Sequence, residues 1–196
     1  MKKITLLLFI LIVGFGINLF ADNNMEVKRI FEGKESAKIT IITYESLTCG
    51  HCADFHKNIY PKLKKEFIDK GLVKIEFRHF PLDIAAFNAS KIAQCNNDGK
   101  SDLLHILFSN QKKWAKGETI EEINIRLREL LKDEGINIDF EKCISDKSIE
   151  DYVLNDRIDG VKKFKVNSTP TIIINDKKFD KAINYKNLKK TLEKLI

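Results

Sequence analysis

The chain has 196 residues, with 34 basic and 28 acidic side chains, 43% apolar residues, 9 glycines and 3 prolines. That apolar share excludes a disordered chain, and so little glycine and proline excludes fibrous or low-complexity sequence. Four cysteines are too few for a disulfide-stapled miniprotein, and a chain this long closes a sizeable core without such staples.

Residues 1–21 open with Lys2 and Lys3, continue with an apolar run over 4–20 and end on the small Ala21. A basic start, an apolar middle and a small residue at the cut describe a secretory signal peptide. The run falls short of the roughly 20 residues that a spanning helix needs; an uncleaved anchor is the other reading of the segment. Cleavage after Ala21 removes two lysines from a formal charge of +6. The remaining lysines are scattered, as in Lys62, Lys64 and Lys65 or Lys162, Lys163 and Lys165, with no interleaved aromatic residues. They read as solvated faces and point to no nucleic-acid partner.

Beyond the signal, residues 22–34 carry a short apolar patch, Val27, Ile30 and Phe31, that suits an edge strand. Residues 37–44 are rich in β-branched side chains and predict a buried strand. Over 49–70 the period changes: Cys52, Phe55, His56, Ile59, Leu63 and Phe67 recur every three or four residues on one helix face. Pro61 falls inside that helix and predicts a kink, and Gly71 ends it. A second buried strand, 72–80, stops at Pro81.

From 83 to 165 no strong strand candidate occurs. Segments 83–97, 101–116, 119–134, 138–145 and 148–165 predict helices, with Gly99, Gly117 and Gly135 separating the first four. Thr119 and Glu122 have the spacing of a capping box. Strand pattern returns at 171–174, Asn175-Asp176 suits a turn before 178–180, and Tyr185, Leu188, Leu192 and Leu195 mark a final amphipathic helix. The order is β-α-β, a helical block, then β-β-α. A strand–helix–strand unit implies a parallel pair with a right-handed crossover. The fold class is therefore α/β: one sheet domain formed by 22–83 and 160–196, with an all-helical insertion over 84–159.

The chemistry concentrates at Cys49-Gly50-His51-Cys52. Two cysteines at this spacing serve zinc sites, haem attachment or redox pairs. Haem attachment needs histidine directly after the second cysteine, where Ala53 stands. A zinc site needs further ligands, and neither Cys95 nor Cys143 has another cysteine or a histidine within four residues. No metal and no cofactor are assigned. The motif follows a buried strand and opens a helix. Unpaired N–H groups and the helix dipole at that end favour a negative sulfur. Cys49 is then the exposed reactive sulfur, Cys52 the shielded one a turn further in, and His51 supplies a positive charge or hydrogen bond to the Cys49 thiolate. Stabilising that thiolate stabilises the reduced form and makes the disulfide a stronger oxidant. Ser168-Thr169-Pro170 sits at the entrance of the returning strand, where both a trans and a cis proline fit.

Cys49-Gly50-His51-Cys52 after a strand, the inserted helices and Thr169-Pro170 before the last strands resemble the DsbA-like branch of the thioredoxin superfamily. The stretches 46–56, 77–83 and 168–171 are similar to exported members of that branch. The resemblance implies a thioredoxin fold with an inserted helical subdomain, and an exported thiol–disulfide oxidoreductase that is periplasmic or otherwise extracytoplasmic after signal cleavage. It also implies a cis bond at Pro170 beside the disulfide and a Thr169 backbone that pairs with the substrate main chain. Implied partners are reduced exported proteins and a DsbB-like membrane re-oxidant; no separate dimerisation region is evident, which suits a monomer. Relatives often bury an acid on the strand before the motif; Thr43 stands near that place, and Glu45, two residues on, is either that acid or a solvated strand end. Many relatives have proline where this chain has Gly50. Gly50 and Thr169 match isomerase-like members, so an isomerase or reductase using the same site is the first alternative. A non-catalytic exported metal carrier using Cys49, His51 and Cys52 is the second.

If Cys49 and Cys52 form the redox pair, Cys95 and Cys143 remain for a structural bridge, which a subset of DsbA-like proteins has in this subdomain. Two buried free thiols are the other reading. His56, on the inward helix face, and His105, among Leu103, Leu104, Ile106 and Leu107, read as packed structural histidines. His79 stands near a strand end, and Trp114 suits the core or the rim of a substrate site.

Overall fold

The computed structural model describes residues 26–196; the segment read as a signal peptide lies outside them. Five strands form one sheet in the order β1-β3-β2-β4-β5: β1 (Ile30–Glu32), β2 (Ile39–Glu45), β3 (Val73–His79), β4 (Thr171–Ile174) and β5 (Lys177–Lys178). β2 and β3 run parallel, with Ile41 opposite Ile75 and Glu45 opposite His79. β1 pairs antiparallel with β3, and β4 pairs antiparallel with β2 and β5. The edge strand, the parallel pair and the returning strands stand where the hydrophobic pattern puts them. The last strand is shorter than the pattern predicts, because the turn at Asn175 and Asp176, both at positive φ, hands over to only two paired residues.

The helix after β2 is one continuous run made of α1 (Gly50–Asp54), a π segment (Phe55–Ile59), α2 (Tyr60–Leu63) and a second π segment (Lys64–Ile68). Pro61 has no N–H to give to the turn before it and would crowd the carbonyl four residues back. Wider π turns flank α2 on either side of this position. The insertion comprises α3 (Ile84–Gln94), α4 (Asp102–Ser109), α5 (Gln111–Trp114), α6 (Ile120–Asp133), α7 (Phe140–Ser145) and α8 (Lys147–Phe164); α9 (Tyr185–Leu192) closes the chain. The helix expected over 101–116 breaks at Asn110. The helix expected from 148 begins at Lys147, capped by Asp146, and runs unbroken past residue 160. Thr119 caps α6 by accepting from the Glu122 N–H, but the Glu122 carboxylate reaches back to the Glu118 N–H instead of closing the reciprocal box at Thr119.

β2 is central and buried on both faces. Ile39 and Ile41 face the main core, which takes in Phe55, Leu63 and Phe67 from the first helix, Leu104 and Leu107 from α4, Leu127 from α6 and Leu188 from α9. Ile42 and Tyr44 face the other side with Phe80, Val166 and Ile173. α8 crosses that second face at Gly160, where a Cβ would lie 2.7 Å from Tyr44 Cε1. Only glycine permits the close approach. The core therefore extends from the sheet into the insertion without a break, and Trp114 belongs to it, fully buried with its indole N–H donating to the Leu107 carbonyl at 2.8 Å.

Candidate active site

The turn from β2 into the first helix places Cys49 at the helix N-cap, with extended backbone (φ −76°, ψ 119°) and no side-chain cap. Its carbonyl accepts from the N–H groups of Cys52 and Ala53 at 3.1 and 3.2 Å. Cys49 is half-buried, whereas Cys52, one turn in, has 0% exposure and packs in the main core; both are free thiols. Gly50 is exposed, and a Cβ there would meet nothing within 4 Å, so no steric demand explains the glycine.

The loop carrying Cys49 is fastened from several directions. Thr48 donates to Asp83 at 2.6 Å, and the same Asp83 caps α3 through the Ala86 N–H at 2.7 Å. The Leu82 N–H donates to Ser46 Oγ at 3.3 Å. From α5, the buried Gln111 amide donates to the Leu47 carbonyl at 2.8 Å and the Cys49 carbonyl at 3.0 Å. Gln111 escaped the sequence reading because nothing in its spacing distinguishes it from a surface glutamine. Its partners are carbonyls more than sixty residues away.

Across from the helix end lies the loop before β4. The Thr169–Pro170 peptide bond is cis, and the Cys49 thiol donates to the Thr169 carbonyl at 3.4 Å. The Thr169 hydroxyl oxygen is buried and has no hydrogen-bond partner. The Cys49 thiol is lowered from 9.0 to about 5. The largest cause is the hydrogen bond from the Cys52 thiol; desolvation opposes it, and Thr169 and the backbone N–H groups of Cys52 and His51 add to it. The two Thr169 contacts belong to different protonation states. The thiol donates to the carbonyl, and once the sulfur is ionised the free hydroxyl donates to it. His51 is exposed, and its contribution comes through the backbone N–H; no hydrogen bond joins its ring to Cys49. The Cys52 thiol is pushed far above its ordinary value, first by burial, then by its bond to Cys49 and by the negative charge of Glu45.

Glu45 is buried, with a side chain only 4% exposed, and His56 Nε2 lies 2.8 Å from its Oε2. The second carboxylate oxygen has no partner. His56 Nδ1 lies 3.0 Å from His105 Nδ1, and His105 Nε2 lies 2.8 Å from Glu32 Oε1. His56 and His105, read from the sequence as separate packed residues, are thus joined to each other and to two acids. Glu32, at the end of the edge strand, gave no sign of this in the sequence. Burial opposes its ionisation, but hydrogen bonds from His105, Ser101 and Tyr60 outweigh that and hold the carboxyl far below its usual range. His79 is buried at the end of β3, and burial holds its pKa below the ordinary value. Among the described residues, no three His, Cys, Asp or Glu side chains cluster as a metal would require.

Cys95 and Cys143 form a disulfide between the end of α3 and α7, with Cα atoms 5.4 Å apart. The cysteines therefore divide into a free pair at a helix N-terminus and a closed pair inside the insertion.

A thioredoxin family model matches residues 25–194. The chain belongs to the thioredoxin family. A protein of Rickettsia bellii named as a protein-disulfide oxidoreductase is 31% identical over 150 residues, covering 73% of this chain and 55% of that protein. The chain thus spans about half the length of that relative. Disulfide bond formation protein D of Bacillus subtilis is 27% identical over 172 residues, covering 83% of this chain and 74% of that protein. The crystal structure of alpha-DsbA1 from Wolbachia pipientis superposes with a TM-score of 0.76 at 29% identity, covering 85% of this chain and 90% of that one. The fold is that of DsbA proteins, a thioredoxin-like sheet with helices inserted.

Proposed function

We propose that this chain is an exported thiol–disulfide oxidoreductase that donates a Cys49–Cys52 disulfide to reduced proteins. The observation that carries the reading is the asymmetry of the pair. Cys49 is accessible, sits at a helix N-terminus and is held as a thiolate at neutral pH, while Cys52 is buried and held protonated. An exchanging sulfur must be reached by its partner and must leave easily; a low thiol pKa serves the second need.

In the proposed cycle a substrate thiolate attacks Cys49 Sγ of the disulfide, and Cys52 leaves as a thiolate that takes up a proton. A second substrate thiolate attacks the substrate sulfur of the mixed disulfide. Cys49 then leaves as a thiolate and the substrate departs oxidised. The Thr169 main chain beside Cys49 pairs with the extended substrate backbone. The parts 22–83 and 160–196 carry the pair and this loop, and 84–159 forms the insertion that braces them. Cleavage of the first 21 residues leaves the protein outside the cytoplasm, with a DsbB-like membrane protein as re-oxidant. No helix among the described residues is long and apolar enough to cross a membrane.

Gly50 and the Thr169 side chain, which acts on Cys49, support a second reading, in which the same site works as an isomerase or reductase. Alkylation trapping of the protein in its own cells separates the two. An oxidase is recovered with Cys49 and Cys52 joined; recovery as the dithiol would overturn the oxidase reading in favour of the second.

A further inference from the structure

Cys52 must change its protonation in every turnover, yet it is closed off from solvent. From Glu45, whose charge acts on Cys52, a continuous line of hydrogen bonds leaves the core: Glu45 to His56 at 2.8 Å, His56 to His105 at 3.0 Å, His105 to Glu32 at 2.8 Å. Exposure rises from Glu45 to His105, and Glu32 beyond it is 15% exposed. The side chain of His56 is 5% exposed and that of His105 is 26% exposed. Both rings open onto a cavity of about 720 Å³ that begins beside Gly50. Aromatic rings hold the imidazoles in place: His56 stacks on Phe108 with centroids 4.0 Å apart, and His105 on Tyr60 at 4.5 Å.

We propose that His56 and His105 form a proton relay that connects Cys52, through Glu45, to the solvent of this cavity. The proposal rests on the thiol-exchange reading above and adds to it the route by which the buried sulfur gains and loses its proton.

Proton counting supports the route. Each of the three bonds holds one proton, so with both acids ionised the two imidazoles share three protons and one positive charge. Moving the proton of the first bond onto Glu45 leaves two neutral rings and an acid beside Cys52. The line therefore stores one transferable proton at either end without breaking a contact. When a substrate thiolate displaces Cys52 from the disulfide, the Cys52 thiolate takes the Glu45 proton. Both nitrogens of each ring are engaged in the line, so the recharge of Glu45 from His56 and of His56 from His105 is completed when a ring turns, releases one contact and takes a proton from cavity water. In the reverse direction the Cys52 thiol gives its proton to Glu45, and the resulting thiolate attacks Cys49 Sγ and expels the bound thiol as a thiolate.

Other groups set the charge around the line without replacing it. The charge of Glu45 acts on Cys52 and His79. His105 and Glu32 face Tyr60, Ser101 and Lys64, with Tyr60 and Ser101 donating to Glu32 and Lys64 lying 3.2 Å from its other oxygen. Asp102 adds to the negative field at Tyr60. Asp54, Lys57, Lys112 and Lys113 stand around the cavity.

The test follows reoxidation of the full reduced protein by glutathione disulfide, with acid quenching and mass spectrometry between pH 5 and 9. The first phase forms the Cys49–glutathione mixed disulfide. In the second, Cys52 closes the Cys49–Cys52 bond and releases glutathione thiolate. With His105→Gln, the second phase is expected to slow at least tenfold at pH 7 while the first phase keeps its rate. Added imidazole, entering the cavity, is expected to restore the second phase in proportion to its concentration and to leave the parent protein unaffected. His105→Phe, which retains the stack on Tyr60 and fills the place of the ring, is expected to slow the second phase alike without restoration by imidazole, and guards against misfolding of the glutamine variant. A second phase within twofold of the parent in either folded variant would overturn the relay, as would a slowed phase in His105→Gln that imidazole does not restore. Loss of the first phase in the parent protein would overturn the thiol-exchange reading and the relay with it.

Discussion

The Thr169 hydroxyl offers a direct handle on the reactivity of Cys49. In the thiol state its oxygen is buried without a partner, a desolvation cost of about 1 kcal/mol or more. In the thiolate state it donates to the sulfur and helps to hold Cys49 at about 5. Thr169→Val exchanges the hydroxyl for a methyl of similar size. It removes one hydrogen bond to a charged acceptor, worth about 1.5–3 kcal/mol, or about 1–2 pKa units at 1.36 kcal/mol per unit. Cys49 is only half-buried, and water replaces part of the lost interaction. We therefore expect the Cys49 pKa to rise by about one unit. A less stable thiolate makes the disulfide a weaker oxidant, and at neutral pH the reduction potential falls by up to about 30 mV. The assays are thiolate absorbance near 240 nm against pH on the reduced protein, and equilibration with glutathione buffers. A midpoint within about 0.2 units of the parent would refute the assigned role of the hydroxyl.

The remaining predictions concern stability. For the reduced protein, the lowered Cys49 pKa contributes stability present above the unfolded thiol value near 8.5, and that contribution is lost as pH falls through about 5. The raised Cys52 pKa acts oppositely, but only above about pH 8.5, where the unfolded thiol ionises. Denaturant titrations should show reduced protein gaining on oxidised protein between pH 5 and 8.5 by about 2–3 kcal/mol, after roughly halving the unscreened shift for solvent exposure; a flat difference would contradict the site electrostatics. Replacing Cys95 and Cys143 together by alanine opens a loop closed across a sequence separation of 48. It should cost about 2–4 kcal/mol, read from the urea midpoint, and an unchanged midpoint would deny the bridge a bracing role. Gly160→Ala drives a methyl into the fully buried Tyr44 ring. It should cost about 1–3 kcal/mol, and a neutral result would mean that α8 sits further from the sheet than described.

Local sequence carried the fold well. The period-two and period-three-to-four patterns separate β2 from the first helix, and Gly71 ends that helix at a positive φ of 71°, a conformation few other residues adopt cheaply. The site was legible where its chemistry is local, as in two cysteines one helical turn apart after a buried strand. Elsewhere it depends on contacts between distant segments. Glu45 reads equally as a solvated strand end until its burial against His56 is seen. His56 and His105 lie 49 residues apart, and each fits a packed core helix by itself. Gln111 has no pattern at all; its role follows from two carbonyls that the fold carries to it. His51 shows the converse. Its place between the cysteines suggested a charged ring at work, whereas the geometry gives the sulfur its backbone N–H. A helix N-terminus supplies that donor whatever side chain is present.

Cys49 is proposed as the sulfur through which a disulfide passes to a substrate. This role is tested by mixing oxidised protein with a reduced dithiol peptide, quenching in acid and following both products by mass. The account predicts peptide oxidation through a transient peptide adduct on Cys49, and no oxidation by Cys49→Ser. Peptide oxidation by Cys49→Ser at the parent rate would contradict it.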